Sequence, residues 1–180
     1  MNINKDEYQM HQLKSKIRHV PDFPKAGILF YDITTLLRDR DGFRMAIDSL
    51  ALPYVDRGID VVVGIESRGF ILGAPVAARI GAGFVPVRKP GKLPAERVRE
   101  TYDLEYGSDS LEMHRDAIEP GQRVLVVDDL LATGGTSRAT VDLVKQLGGQ
   151  VEGVAFLIEL VALNGRTRLD GENIMAVLQY

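Results

Sequence analysis

The chain has 180 residues, of which 45% are hydrophobic and 26% are charged, a composition typical of one globular domain. Its net charge of -3 and its pI of about 5.6 disfavour a protein that wraps nucleic acid, which usually carries a basic excess. Cysteine is absent, which excludes disulfides, thiolate nucleophiles and cysteine-ligated zinc sites. The polar first twenty residues lack the apolar core of a signal peptide, and no segment is long and apolar enough to span a bilayer. We therefore expect a cytoplasmic protein with neither a nucleic-acid nor a membrane partner.

The N-terminal part of the chain begins with a predicted amphipathic helix that ends before Pro21. Apolar residues recur there at spacings of three and four: Met10, Leu13, Ile17 and Val20. A rigid loop at 21–27 leads into a segment at 28–33 that has the pattern of an extended strand. A second helix is predicted from about 42 to 57, with Pro53 bending it or marking its last turn.

Two consecutive units of strand, polar turn, helix and strand follow. In the first unit these elements fall at 61–65, 66–69, 70–80 and 84–87. In the second unit they fall at 123–127, 132–135, 136–147 and 151–160. Apolar strands that alternate with helices predict a parallel sheet covered on both faces. Such sheets bind ligands beyond the carboxyl ends of their strands, so we expect both polar turns to point into one crevice.

A long polar segment, 89–115, separates the two units. It contains Gly91, Pro94 and Gly107 together with many charged residues. A segment of this length is often a mobile flap over an active site, and a solvated hairpin is the alternative.

The strongest chemical signal is the thirteen-residue run from Val124 to Thr136. An apolar strand leads to Asp128 and Asp129, whose carboxylates can accept hydrogen bonds from the vicinal hydroxyls of a ribose. Small residues and successive backbone N–H groups then follow at the start of a helix, where the helix dipole favours a phosphate. The residues of this turn are Ala132, Thr133, Gly134, Gly135 and Thr136, and the last of them is also a candidate helix cap. The pattern predicts a ribose 5-phosphate site.

Two other kinds of phosphate or metal site fit the sequence less well. Gly64 and Gly69 have the glycine spacing of a P-loop, but Phe70 stands where a P-loop requires lysine. A receiver domain also has an acidic pair after an apolar strand, but the 51 residues that follow Asp129 are too few for the rest of such a domain.

This run resembles the phosphoribosyl pyrophosphate (PRPP) motif of the type I phosphoribosyltransferases. Four further segments resemble the adenine phosphoribosyltransferase branch of that family: Pro21-Asp22-Phe23-Pro24, Glu66-Ser67-Arg68-Gly69-Phe70, Arg88-Lys89-Pro90-Gly91-Lys92-Leu93-Pro94 and Leu104-Glu105-Tyr106-Gly107. The likeness runs from about Pro21 to Tyr180. It implies a single α/β domain over residues 1–180, with a mostly parallel twisted sheet flanked by helices. A small N-terminal hood would occupy 1–35, and a flexible flap 89–115.

The resemblance implies that PRPP is one substrate, with its pyrophosphate bound at the opposite end of the crevice from the 5-phosphate. The first polar turn would supply this site through Glu66, Ser67 and Arg68, with a cis peptide bond between the first two. An ion pair with Glu66, or contact with solvent, is the simpler interpretation of Arg68. The basic segment that contains Arg88, Lys89 and Lys92 is either an ordinary solvated loop or, as the resemblance implies, part of a homodimer interface that contacts pyrophosphate. Mg²⁺ is expected through substrate phosphates and water, without a dedicated protein ligand.

The resemblance also implies which residues bind the base and which residue transfers a proton. Glu105 matches the family's general acid or base near N7 of the purine. The segment 96–112 holds six acidic residues, so composition alone would not select Glu105. Backbone groups of Leu29 and Tyr31 match the readers of the adenine edge, and Phe30 and Leu130 would sandwich the ring. A core position is the alternative for Phe30.

The expected reaction is therefore transfer of the phosphoribosyl group from PRPP to adenine, as in purine salvage. Transfer to another purine base, such as hypoxanthine or xanthine, is an alternative. A regulator that senses PRPP and binds DNA is a second alternative, but about twenty residues before Pro21 cannot hold a DNA-binding domain.

Overall fold

The computed structural model describes residues 5–103 and 107–180 of the chain. These residues divide between Ser49 and Leu50 into two compact units. Glu105, the predicted acid–base residue, lies outside the described residues. Within the described ranges, no helix combines the length and the apolar character that crossing a membrane requires.

The first unit contains a short antiparallel strand pair and helices. Its elements are α1 (Lys5–Ser15), β1 (Arg18–Pro21), β2 (Leu29–Asp32), α2 (Thr34–Leu37) and most of α3 (Arg40–Ala51). The extended segment predicted at 28–33 is confirmed as β2. The helix predicted to reach Val20 instead ends at Ser15, so this prediction was wrong over its last turn. The reason is that the backbone of 18–21 pairs with β2, with Val20 opposite Phe30.

The second unit is built on a parallel sheet. Its strands are β3 (Val61–Ile65), β4 (Gly83–Val87), β5 (Arg97–Asp103), β6 (Ser108–His114), β7 (Arg123–Leu131), β8 (Gln150–Glu159) and β9 (Ile174–Gln179). Five of them form one sheet in the order β4-β3-β7-β8-β9, and every neighbouring pair is parallel. The predicted α/β class and parallel sheet are confirmed, whereas β9 carries no strand prediction.

Two helices cover opposite faces of this sheet, α4 (Arg68–Ile80) and α5 (Gly135–Gln146). Val63 and Val126 belong to the buried cluster that contains Leu143 of α5. Successive residues of a strand point to opposite faces of the sheet, so Gly64, next to Val63, is on the other face. This other face is covered by α4, because a Cβ added at Gly73 of α4 would lie 3.4 Å from Gly64 Cα. Both predicted helices are confirmed, with small shifts at their ends. The helix predicted from 42 to 57 ends at Ala51 and continues as a 3-10 turn, Leu52–Tyr54, which contains the proline.

Strands β5 and β6 form an antiparallel hairpin within the segment predicted to be a flap. Leu111 and Met113 on β6 are fully buried and belong to the same cluster as the sheet and α5. The backbone of Glu112 pairs in both directions with that of Arg88, at N···O distances of 2.9 and 2.8 Å. The hairpin is therefore anchored in the core on one face, unlike the solvated hairpin considered from the sequence. Flap motion stays a prediction.

Candidate active site

Both polar turns follow neighbouring parallel strands and therefore lie at the same edge of the sheet, as the sequence predicted. The first begins at Glu66, directly after β3. The second follows β7, which is longer than predicted. Pairing of β3 with β7 ends at Val127, whereas pairing of β7 with β8 continues to Leu131. Residues 128–131 thus form an overhang of β7 that extends beyond its pairing with β3.

The acidic pair lies on this overhang. Asp129 is 5% exposed, and its carboxylate Oδ2 lies 3.0 Å from Nη1 of Arg68. The Asp128 carboxylate accepts a hydrogen bond from the backbone N–H of Asp129, at 2.8 Å. Arg68 thus pairs with an acid on the overhang of β7 and connects the first turn to that overhang. This partner, Asp129, differs from the partner that the sequence offered as the simpler interpretation, Glu66 or solvent.

Burial dominates the electrostatics of the acidic pair. Loss of hydration, followed by repulsion from the neighbouring carboxylate, raises the pKa of Asp128 well above its ordinary value. Burial also raises the pKa of Asp129, and the Arg68 guanidinium opposes that rise. The site therefore holds two close carboxylates and one cation, an arrangement that suits hydrogen bonding to neutral hydroxyl groups.

The glycine turn after β7 ends at the N-terminus of α5. Gly134 is the N-cap residue and has a left-handed backbone with φ of +82°. It has no side chain to cap the helix, so the first-turn N–H groups of α5 remain available to an anion. Thr136 is the second residue of the helix, and the suggestion that it caps α5 was therefore wrong. Thr133 is exposed, whereas Ala132 and Thr136 are half-buried.

This turn is fixed by close packing against a second glycine. A Cβ added at Gly134 would collide with the carbonyl oxygen of Gly165. A Cβ at Gly165 would collide with the carbonyl oxygen of Ala132 and would lie 2.8 Å from Cδ1 of Leu131. The backbone at 165 therefore supports the glycine turn from behind. Sequence reasoning missed Gly165, because a lone glycine distant from the motif carries no pattern.

The first polar turn brings its acid together with the basic segment. The Glu66–Ser67 peptide bond is cis, as the resemblance implied. The Glu66 carboxylate accepts from Nε and Nη2 of Arg88, both at 3.3 Å, and from the backbone N–H of Lys89 at 3.0 Å. Burial alone would raise the pKa of Glu66, but these hydrogen bonds hold it below its ordinary value. The carbonyl of Lys92 accepts a hydrogen bond from Nη1 of Arg88 at 3.2 Å.

The amino group of Lys89 is held by the hairpin. It forms an ion pair with Asp109 of β6, whose carboxylate also accepts a hydrogen bond from Tyr102 Oη at 3.2 Å. Burial would lower the pKa of Lys89, but Asp109 outweighs it and the pKa is raised. Sequence reasoning did not identify Asp109, which is one of several acids in a polar segment.

Two glycines, Gly64 and Gly69, allow α4 to approach the sheet at this edge. A Cβ on Gly64 would lie 2.8 Å from the carbonyl oxygen of Gly69. A Cβ on Gly69 would lie 3.0 Å from Oδ1 of Asp128 and from the carbonyl oxygen of Val127. The first turn therefore touches the acidic pair directly. The absence of side chains at Gly64 and Gly69 sets the distance between the start of α4 and the strands β3 and β7.

The predicted base-binding residues fall in both units. Leu29, Phe30 and Tyr31 form most of β2 in the first unit, and Leu130 is half-buried on the overhang of β7 in the second. Phe30 is half-buried and meets the ring of Phe23 edge to face, with centroids 5.1 Å apart. It is therefore not the fully buried core aromatic considered as the alternative.

Comparison with known proteins identifies the family. The sequence profile of the phosphoribosyl transferase domain matches residues 37–172. The adenine phosphoribosyltransferase of Acidobacterium capsulatum is 64% identical over 168 residues, which are 93% of each chain. The crystal structure of the enzyme of that name from Thermoanaerobacter pseudethanolicus has a TM-score of 0.92 at 53% identity, covering 95% of this chain and 99% of that one.

The chain belongs to the adenine phosphoribosyltransferase family. A third adenine phosphoribosyltransferase, from Saccharomyces cerevisiae, was solved in complex with an imino-altritol bisphosphate and adenine. It has a TM-score of 0.90 at 40% identity, covering 94% of this chain and 98% of that one. The family assignment and the fold expected from the sequence motifs are thus confirmed. The role of each site residue in this adenine phosphoribosyltransferase family member stays a prediction.

Proposed function

We propose that this chain transfers the 5-phosphoribosyl group of PRPP to adenine and releases pyrophosphate and AMP. The observation that carries the proposal is the overhang of β7, where Asp128 and Asp129 lie two residues before a glycine turn at a helix N-terminus. The two carboxylates can accept hydrogen bonds from the vicinal hydroxyls of a ribose, and the N–H groups of the turn can donate hydrogen bonds to a phosphate. Together these groups match the two ends of a ribose 5-phosphate. The names of the similar proteins described above support the same reaction.

The turn at 132–136 would bind the 5-phosphate. Its backbone N–H groups and the hydroxyls of Thr133 and Thr136 are the donors, and Gly134 gives the left-handed bend that the turn needs. The carboxylates of Asp128 and Asp129 would accept hydrogen bonds from the ribose 2- and 3-hydroxyls. The sugar would thus be fixed by its two ends, which leaves C1 free to react.

Pyrophosphate would bind at the first turn together with the basic segment, whose Arg88 would come from the partner subunit of the homodimer proposed below. Three cations there are paired with acids: Arg68 with Asp129, Arg88 with Glu66, and Lys89 with Asp109. These pairs keep the cations in place, and a polyanion would compete with the acids for them. Ser67 and Lys92 are both exposed beside these pairs and complete the proposed site.

Mg²⁺ fits this site as a companion of PRPP. Among the described residues, no group of three or more histidine, aspartate or glutamate side chains could hold a metal ion by itself. Mg²⁺ usually keeps several waters and binds through substrate phosphates, so PRPP and water would supply its ligands without a dedicated protein ligand. When bound, the ion would neutralise charge that develops on the leaving pyrophosphate.

Adenine would be recognised by backbone groups of β2. This strand pairs with β1 along one edge only, so its other edge has no strand partner among the described residues. Backbone groups of Leu29 and Tyr31 would read the amino group and ring nitrogen of adenine, and Phe30 and Leu130 would lie against the ring.

The chemical step would be displacement of pyrophosphate from C1 by a ring nitrogen, with inversion. The sugar would gain oxocarbenium character, as in glycoside cleavage. Positioning of both substrates and neutralisation of the leaving group would supply most of the acceleration. Glu105 would exchange a proton with N7 of the base.

The proposal includes a homodimer in the cytoplasm, in which Arg88 of one subunit reaches the pyrophosphate of the other. The family resemblance of the segment 88–94 supports this arrangement. Light scattering coupled to size exclusion tests it, and a monomer at every concentration used for activity would contradict it.

A pyrophosphate-release assay tests the function. The protein is mixed with PRPP and Mg²⁺ and with adenine, hypoxanthine, guanine or xanthine in turn. We expect turnover with adenine that exceeds turnover with every other base. Turnover with hypoxanthine and none with adenine would contradict the base assignment, and no turnover with any base would contradict the proposed reaction.

A further inference from the structure

Glu112 on β6 is a buried carboxylate that the proposed chemistry does not use. Its residue exposure is 0%. Buried carboxylates are rare unless cations and hydrogen-bond donors surround them, since desolvation of the charge is costly. The contacts of Glu112 therefore indicate what it contributes to the fold or the site.

Two arginines of the neighbouring strand surround one oxygen of this carboxylate. Oε1 lies 2.5 Å from Nη2 and 3.0 Å from Nε of Arg99, and 3.1 Å from Nε of Arg97. The other oxygen, Oε2, accepts a hydrogen bond from the backbone N–H of Gly91 at 2.9 Å. Burial alone would raise the pKa of Glu112, but these donors hold it below its ordinary value. The side chain is thus a charged bridge between the hairpin and the basic segment.

The segment 88–91 is held from both ends by this one residue. The backbone of Glu112 pairs with that of Arg88, and its side chain binds the N–H of Gly91. Gly91 has φ of +77°, a left-handed conformation that reverses the chain just after Pro90. Between these two anchors lies Lys89, whose side chain is aimed at Asp109 on the same strand. The path of the basic segment is therefore set by β6.

We propose that Glu112 is a positioning residue for pyrophosphate binding: it holds the segment 88–91 in the conformation that presents Arg88 and Lys89 to the leaving group. This inference rests on the proposed function, because it takes these two cations as the pyrophosphate ligands. Glu112 itself touches no substrate. It follows that loss of its charge weakens ligands that carry pyrophosphate and spares AMP, which has none.

Glu112→Gln is the direct test. The amide keeps the size of the side chain but leaves Arg97 and Arg99 without their counter-charge, and it aims an N–H group at neighbouring donors. Dissociation constants for pyrophosphate and for AMP, both with Mg²⁺, are measured by calorimetry well below the melting temperature of each variant. We expect pyrophosphate to bind about fivefold more weakly and AMP to bind within about twofold of the unmodified protein.

Glu172→Gln is the matched control. The Glu172 side chain is 6% exposed and pairs with Arg138 at 3.4 Å and Lys145 at 2.5 Å. It precedes β9 and so lies at the amino edge of the parallel sheet, away from the candidate site. Loss of its charge should lower the melting temperature and leave both dissociation constants unchanged. The comparison therefore shows whether weaker pyrophosphate binding in Glu112→Gln comes from the location of Glu112 or from lower stability alone.

Unchanged pyrophosphate affinity in Glu112→Gln, or equal weakening of pyrophosphate and AMP, would overturn the inference. If that variant does not fold, Arg99→Gln is the substitute test. It removes the charged contact of Arg99 with the Glu112 carboxylate, and the exposed position of Arg99 should tolerate the change. It should weaken pyrophosphate selectively by about twofold to threefold, and no selective change would overturn the inference. Failure of the unmodified protein to bind either ligand would instead contradict the proposed function.

Discussion

The two polar turns at the carboxyl edge of the sheet hold their shapes by different means. The turn after β7 depends on backbone geometry, with Gly134 packed against Gly165. The turn after β3 depends on charged side chains, with Glu66 bound to Arg88 and Arg68 bound to Asp129. A turn built from backbone cannot adapt to a side chain, whereas a network of ion pairs can lose one member and rearrange. Substitutions should therefore break the first kind and only weaken the second.

The largest effect is expected from Gly134→Ala. The new Cβ would collide with the Gly165 carbonyl oxygen at a position whose φ of +82° already disfavours alanine. Displacement of the turn should weaken AMP binding at least about a hundredfold, as measured by calorimetry.

Gly171→Ala is the control for this change. Gly171 has nearly the same φ, +83°, and a Cβ there would meet nothing within 4 Å. It should cost about 1 kcal/mol of folding free energy and leave AMP affinity unchanged. An equal loss of affinity in both variants would show that backbone strain alone, and not the packing of the turn, is responsible.

Arg68→Ala should have an intermediate effect, because Arg68 is the side chain that connects the first turn to the overhang of β7. Loss of a charge-assisted contact should weaken PRPP about thirtyfold. Its removal also takes away the cation that opposes the raised pKa of Asp129, so that pKa should rise further. A larger fraction of Asp129 is then protonated at a given pH. The acid limb of the pH profile, where PRPP affinity falls as the pH is lowered, should therefore move to higher pH.

Arg68→Lys and Arg88→Ala sharpen this test. The lysine variant retains the charge and should return the acid limb towards its original pH. Arg88 pairs with Glu66 and not with the acidic pair, so its loss should weaken pyrophosphate without moving that limb. An acid limb that stays in place in Arg68→Ala would contradict the coupling between Arg68 and Asp129.

The smallest effect is expected from Gly69→Ala, at the point where the first turn touches the acidic pair. A Cβ there would lie 3.0 Å from Asp128 Oδ1, a distance that small shifts of the carboxylate can relieve. We expect PRPP to bind about threefold to fivefold more weakly, measured by the same calorimetry. A loss as large as that of Gly134→Ala would show that the first turn is as rigid as the second.

The sequence predicted the parts of this molecule whose signals are local. The apolar runs at 61–65 and 123–127 and the glycine turns after them predict the sheet and its ligand edge. The acidic pair was identified for the same reason, although β7 continues through it. The motif resemblance also predicted the family and the cis bond at Glu66–Ser67.

Features that depend on distant partners were not predictable. Ile17 and Val20 fit a helical spacing, yet pairing with β2 draws 18–21 into a strand. The pairing of Arg68 with Asp129 joins residues sixty-one positions apart, and no local pattern distinguishes it from a pairing with Glu66. The burial of Glu112 in a polar segment likewise depends on Gly91, Arg97 and Arg99 converging in space.

The central claim is that the overhang of β7 and the turn beside it bind a ribose 5-phosphate. A crystal structure of the protein soaked with AMP tests this claim most directly. We expect the 5-phosphate within hydrogen-bond distance of the backbone N–H groups of 132–136, and the ribose hydroxyls on Asp128 and Asp129. A nucleotide bound elsewhere, with this turn empty, would contradict the account.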